Sequence, residues 1–229
     1  MSSAPPLPIS RPALTTFSDE EIMFRDAVAA FAESEVRPRV KAMESAGRID
    51  PELIPQYFAL GLMGIEVPET YGGAAGTLTM VALAVEALSQ VDAAAAIMVD
   101  VQNTLVNYPI TRYGTEAQRT KYLSRLVSGE IGAYALSEPG SGSDAFGLAT
   151  VATQRGSDWV LNGRKMWITN GGEANIFVIF ANVNPSQGYR GITAFIVERD
   201  FVPGSTDTRR HIRHPFPVEG GKAIHIVGR

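Results

Sequence analysis

The 229-residue chain contains no cysteine. Disulfides, thiolate nucleophiles and zinc–thiolate sites are thereby excluded, and a reducing compartment is compatible with the composition. No apolar run approaches the roughly 20 residues that a helix needs to span a bilayer. Positive charge is not in excess: 20 Lys or Arg stand against 24 Asp or Glu, a net charge of −4. Neither a nucleic-acid nor a membrane partner is therefore expected. The three histidines, His211, His214 and His225, all fall within the last 19 residues, and His211-x-x-His214 has no third partner to make a zinc site. The opening "MSSAPPLPISRPALTTF" has Arg11 as its one basic residue and shows neither a signal peptide nor an Arg-rich transit helix. What remains is ordinary for a globular protein, 45% hydrophobic and 19% charged, with length for one large domain or two modest ones.

The first half reads as helix. Ser18 and Glu21 form a capping box, Phe24, Val28, Phe31 and Ala32 recur at helical spacing, and Pro38 is expected to end the run. Asp50-Pro51 is a second start, with Leu53, Ile54, Tyr57 and Phe58 as the apolar stripe and Gly61 as the stop. "TLTMVALAVEALSQVD" is apolar on nearly every side, as in a helix buried among others. Glu86 in it, and Asp100 beyond it, read as an exposed or helix-packing position. "AAAAIMVDVQNTLVNYPI" follows, capped by Asp92 and interrupted at Pro109, and Thr115 with Gln118 caps a last helix. Residues 15–128 are thus expected to be an all-helical domain of about five helices behind a flexible arm at 1–14.

The texture then changes. "IGAYALS", "ATVATQR", "DWVLNGRKMWIT", "NIFVIFANV" and "ITAFIVER" are short, β-branched or aromatic, and separated by turn residues such as "RGSD" and "NPSQGYRG". No helix-length segment intervenes, so residues 129–201 are expected to form antiparallel strands in a barrel or sandwich, an α+β chain overall. From Val202 the alternation stops. Residues from Phe201 on carry five Lys or Arg against two Asp or Glu, and 202–229 read as an atypical tail foreign to the fold.

Two stretches invite a ligand. "YALSEPGSGSDAFG" contains Gly140-Ser141-Gly142-Ser143-Asp144-Ala145, which matches G-x-G-x-x-A. A strand rather than a helix follows, so no Rossmann site results, and no Lys-Ser/Thr follows the glycines as a Walker loop requires. Glycine still lets backbone amides approach a ligand, and Ser137, Ser141 and Ser143 offer hydroxyls to carbonyls or phosphates. Its plainer reading is a turn-rich link. In "KMWITNGGEAN" Trp167 can stack on a planar ring while Thr169 reaches its edge, or the tryptophan can be a core residue on a strand.

In order, these pieces resemble the acyl-CoA dehydrogenases. "ALSEPGSGSDAFG" fits the family's first signature and "NGRKMWITNG" the segment that follows. "LMGIEVPETYGG", "VDAAAAIMVDVQNTLVN", "YGTEAQRTKYL" and "ANVNPSQGYRGITAFIVERD" are similar to the short/branched-chain members, so that about residues 15–201 are covered. The resemblance implies an N-terminal helical domain, a middle β-domain and a C-terminal four-helix bundle. It implies FAD lined by Tyr134, Ala135, Leu136, Ser137, Gly142 and Ser143, with Ser143 also touching the acyl-CoA. Trp167, Ile168 and Thr169 would lie against the flavin ring. A carboxylate would remove the acyl α-proton while the β-hydride passes to the flavin, giving a trans-2-enoyl-CoA, with electrons going on to an electron-transfer flavoprotein. A homotetramer and the mitochondrial matrix are implied as well.

The family's catalytic glutamate and most of its oligomer interface belong to the C-terminal bundle. The chain is therefore expected to be a truncated form with an incomplete β-barrel, without that bundle and without its own base, and unable to turn over acyl-CoA. Glu138 and Asp144 sit inside the motif and are not substitutes. Two other readings stay open: a non-catalytic fragment that binds FAD or acyl-CoA or pairs with full-length subunits, and an acyl-CoA oxidase, which oxygen consumption would distinguish.

Overall fold

A computed structural model describes residues 16–156 and 158–199. The arm at 1–14, the segment 202–229 and its histidines lie outside them. Among the described residues seven α-helices come first: α1 Asp19–Phe31, α2 Val40–Ala46, α3 Leu53–Ala59, α4 Leu78–Ser89, α5 Ala93–Asp100, α6 Tyr108–Tyr113 and α7 Glu116–Ser128. The two capping boxes form as read: the Ser18 and Thr115 hydroxyls accept from the amides of Glu21 and Gln118, whose side chains bond back to the cap amides. Thr77 and Asp92 cap α4 and α5.

The two expected proline breaks do not occur. A π-helical segment, Ala32–Val36, joins α1 to Arg37-Pro38-Arg39, and α2 follows at once. A second, Val101–Asn107, joins α5 to α6 across Pro109. In each case the residue before the proline donates a wide-turn bond five residues back, Arg37 to Ala32 and Tyr108 to Asn103. The π turn skips one carbonyl just where proline brings no N–H and a bulky ring, so the missing bond and the clash are absorbed together. Merged in this way, the segments make five continuous helical runs.

Five strands follow: β1 Gly132–Ala135, β2 Val151–Arg155, β3 Asp158–Asn162, β4 Ile176–Asn182 and β5 Ile192–Glu198. β2–β3 and β4–β5 are antiparallel hairpins, closed by Gly156 at φ 62° and by the 3-10 segment Pro185–Gly191. The expectation of a purely antiparallel sheet is corrected at β1, which pairs with β4 in parallel from Gly132↔Ile176 to Ala135↔Ile179, and at Val151↔Asn182, where β2 meets β4 in parallel. The 40 residues between β1 and β4 are long enough to return the chain to the same end of the sheet, which a tight hairpin cannot do.

β4 is buried on both faces. Ile176 and Val178, with Ile196 of β5, pack on Val106, Ile110, Tyr122, Leu123 and Leu126 of the helices. Phe177, Ile179 and Ala181 lie in the other cluster with Trp159, Leu161 and Phe195. Full burial of each such leucine or isoleucine contributes about 2 kcal/mol. The second π segment lies against β1 so closely that a Cβ at Gly132 would stand 2.5 Å from Val106 Cγ1. Its Gln102 donates to the Leu126 and Glu130 carbonyls (2.8 and 3.2 Å) and accepts from the Gly132 amide at 2.7 Å. Asn103 takes the Ile65 amide and gives to the Leu62 carbonyl.

An ion-pair network closes the other side of this junction. Glu198 at the end of β5 meets Lys121 at 2.6 Å and Arg125 at 2.9 Å, and the Tyr122 hydroxyl donates to it. Partial burial would raise the carboxyl, but the hydrogen bonds and charges of Lys121 and Arg125 outweigh it and push it down to about 2. A depressed carboxylate stabilises the fold above its ordinary titration range and loses that contribution as pH falls toward about 2. Allowing for solvent screening, Glu198→Gln is expected to cost about 1–2 kcal/mol near neutral pH, and the gap from wild type should close on acidification. Urea titrations of both proteins across acid pH check this; a gap constant with pH would contradict it.

Candidate functional site

The Gly/Ser loop and the tryptophan turn, 25 residues apart in sequence, meet at the end of β1. Leaving β1, the Leu136 carbonyl accepts from Lys165 Nζ at 3.0 Å and the Ser137 carbonyl from the Met166 amide at 3.0 Å. Glu138, the next residue, pairs with Lys165 at 2.6 Å. Three consecutive residues of one segment are thus tied to two of the other.

Glu138 was read as a motif position and not as a base, and its surroundings agree. Its carboxylate accepts from Lys165, from the amides of Ala149 (2.6 Å) and Thr150 (3.1 Å), and from the Thr150 hydroxyl. Burial alone would raise it, but Lys165, Thr150 and the Ala149 amide hold it below the ordinary carboxylate range. It stays an anion with its lone pairs engaged. The loop beyond folds on itself: Glu138 and Ser141 exchange backbone bonds at 2.9 and 3.1 Å, and the Ser141 hydroxyl donates to the Asp144 carbonyl at 2.7 Å. Gly142 and Ser143 are exposed at its rim.

Two glycines there have no reason inside the chain. Neither Gly140 nor Gly142 has positive φ, and a Cβ on either would meet nothing within 4 Å. At most of the other described glycines, tight packing or left-handed backbone requires the residue. Here it leaves backbone open along a rim of hydroxyls, which suits a ligand pressed against the main chain.

Trp167 is the most unusual residue of the site. Of the two readings of this tryptophan, the core residue on a strand does not hold: β3 ends at Asn162, and Trp167 stands 85% exposed with φ 58°. Left-handed backbone costs a bulky residue about 1–2 kcal/mol, and an exposed indole gains nothing from the protein in return. Such strain marks a position held for another purpose. The turn is fixed from behind: Asn170, also left-handed at φ 61°, donates to the carbonyls of Gly132 (3.1 Å) and Met98 (3.4 Å). Arg199 donates to the carbonyls of Gly171 and Gly172. Ile168 packs on the core and Thr169 is half-buried beside it.

The remaining candidates are placed less centrally. The Tyr134 ring leans on Phe180, with centroids 5.0 Å apart. Ala135 is buried, and Leu136 and Ser137 are half-buried. Glu86 is exposed and Asp100 accepts from Thr104, as expected of them. Lys165 and Asn170, which fix the turn, were not singled out in the sequence. Asn170 did leave a signal, the Asn-Gly-Gly turn of "KMWITNGGEAN", which calls for partners.

A model of the acyl-CoA dehydrogenase N-terminal domain matches residues 18–130, and one of the acyl-CoA dehydrogenase middle domain matches residues 133–226. The chain belongs to the acyl-CoA dehydrogenase family. The middle-domain match runs past residue 202, into the segment that the sequence texture sets apart. Among relatives, a probable short/branched chain specific acyl-CoA dehydrogenase of Dictyostelium discoideum is 51% identical over 186 residues, 81% of this chain and 45% of the relative. Butyryl-CoA dehydrogenase of Megasphaera elsdenii superposes with a TM-score of 0.77 at 38% identity, over 86% of this chain and 51% of that one. A glutaryl-CoA dehydrogenase of Mycobacterium smegmatis solved with FADH2 gives a TM-score of 0.75 at 33% identity, over 86% and 49%. This acyl-CoA dehydrogenase chain therefore spans about half the length of these relatives. Mitochondrial and bacterial proteins both occur among the matches.

Among the described residues no helix is long and apolar enough to cross a membrane, and no three His, Asp or Glu are placed to hold a metal. The groups that the site presents are main chain opened by glycine, hydroxyls, and an exposed planar ring.

Proposed function

We propose that the chain carries the flavin- and thioester-facing half of a short/branched-chain acyl-CoA dehydrogenase. The observation that carries the reading is Trp167, strained and exposed on a turn that three contacts fix to the Gly/Ser loop. In this reading Tyr134, Ala135, Leu136, Ser137, Gly142 and Ser143 line FAD through main chain and hydroxyls, and Ser143 also meets the acyl-CoA. The Trp167 indole, with Ile168 and Thr169, would hold the flavin ring, the indole by packing and the Thr169 hydroxyl by hydrogen bonding. The chemistry FAD supplies when bound is acceptance of the hydride from the acyl β-carbon.

The proton chemistry needs a base from outside the described residues. Glu138 is committed to Lys165 and Thr150, and Asp144 is an exposed loop residue. The carboxylate that abstracts the α-proton, the pocket that measures the acyl chain and a tetramer interface fit the part of the relatives that this chain does not span. An electron-transfer flavoprotein as acceptor and a mitochondrial site follow from the same resemblance.

Anaerobic addition of a short branched acyl-CoA to the FAD-loaded chain tests this reading. The expected result is a shifted flavin spectrum without bleaching. Bleaching would show that the chain holds its own base. An unchanged spectrum would remove the acyl-CoA site from these residues.

A further inference from the structure

We propose that the buried Glu138–Lys165 pair is the positioning clamp of the flavin site, setting the register between the Gly/Ser loop and the Trp167 turn. The inference rests on the flavin reading above and concerns two residues that touch no ligand in it. Their side chains are 4% and 5% exposed. A buried ion pair brings little net stability over an apolar pair of the same volume, so stability alone does not explain one here. What it supplies is direction. Lys165 Nζ reaches both the Leu136 carbonyl and the Glu138 carboxylate, and that carboxylate reaches the amides of Ala149 and Thr150 at the entry to β2.

Three segments therefore share one charged centre, and two of them carry candidate site residues. Ser137 precedes Glu138, Gly142 and Ser143 follow it, and Trp167 is two residues beyond Lys165. The Met166 amide, between Lys165 and Trp167, closes onto the Ser137 carbonyl. Behind them, a Cβ at Gly163 would fall 2.1 Å from Thr150 Oγ1, so the chain leaving β3 is pressed against the same centre. With the carboxylate shortened or removed, the Lys165–Leu136 and Met166–Ser137 contacts lose the charge that holds them in register, and the indole is held less firmly.

The test uses the full chain, two clamp variants and one core variant. Glu138→Leu with Lys165→Met removes both charges at similar volume, and Glu138→Asp keeps the charge but shortens its reach. Amide hydrogen exchange is read at Met166, with Val178 in β4 as the internal reference. The clamp predicts that Met166 exchanges at least about tenfold faster in each folded clamp variant while Val178 is unchanged. It also predicts an FAD dissociation constant at least about tenfold higher. Val178→Ala, which weakens the core elsewhere, should lower the melting temperature without changing Met166 relative to its neighbours. Met166 exchange within about twofold of wild type in Glu138→Asp would overturn the clamp, as would an equal loss of FAD affinity in Val178→Ala. If the wild-type chain takes up no FAD, the flavin reading fails, and Met166 exchange still decides the clamp.

Discussion

Trp167→Gly is expected to weaken flavin binding at least about tenfold while leaving the fold as stable as before or more so. The two effects have opposite signs because they come from different parts of the residue. The backbone at φ 58° is left-handed, a conformation that glycine adopts without the steric cost of a Cβ. Against this gain stands the greater freedom of glycine in the unfolded chain, so the net change should be between zero and about 1 kcal/mol of stabilisation. The side chain is 85% exposed, so its removal uncovers almost no packed surface. Its stacking on a planar ring, by contrast, is worth about 1 kcal/mol or more beyond simple area burial. Thermal melts and FAD titrations of the two proteins, side by side, check the pair of signs. A destabilised variant with unchanged FAD affinity would mean that Trp167 serves packing after all.

Gln102→Ala is expected to destabilise the chain by about 3 kcal/mol. The amide makes three bonds, two of them buried, to the Leu126 carbonyl and from the Gly132 amide, and one half-buried, to the Glu130 carbonyl. Truncation leaves these backbone groups without the partner, each costing about 1–3 kcal/mol where water cannot replace it. Gly132 opens β1, and its carbonyl is held by Asn170 of the tryptophan turn. The variant should therefore also loosen the site, with weaker FAD binding as a second consequence. Urea unfolding measures the first effect; a loss under about 0.5 kcal/mol would show that the π segment does not couple the helices to the sheet.

Local rules served well where the deciding contacts are local. Both capping boxes, the Asp92 cap and the β2–β3 and β4–β5 hairpins depend on neighbours within a few residues, and all form as read. Pro38 and Pro109 misled because the rule that proline ends a helix assumes i to i−4 bonding, and the π segments before both prolines suspend it. The parallel pairing of β1 with β4 depends on a crossover that strand patterning does not reveal. At the site, Trp167 and Thr169 were legible as types suited to a ring. The left-handed turn that exposes the indole was not, because left-handed conformation is rare for tryptophan and nothing in the composition announces it. Lys165 was invisible for a related reason: its role rests on a carboxylate 27 residues away.

One titration tests the central claim most directly. The chain has two tryptophans, Trp159 packed against Phe195 and Trp167 in solvent. FAD should therefore quench the red-shifted emission of the exposed indole and leave the blue-shifted emission of the buried one. The account predicts saturable one-to-one quenching of the Trp167 component, weakened at least about tenfold when Glu138 is shortened to Asp. Equal quenching of both tryptophans without saturation, or saturable binding that spares Trp167, would contradict it.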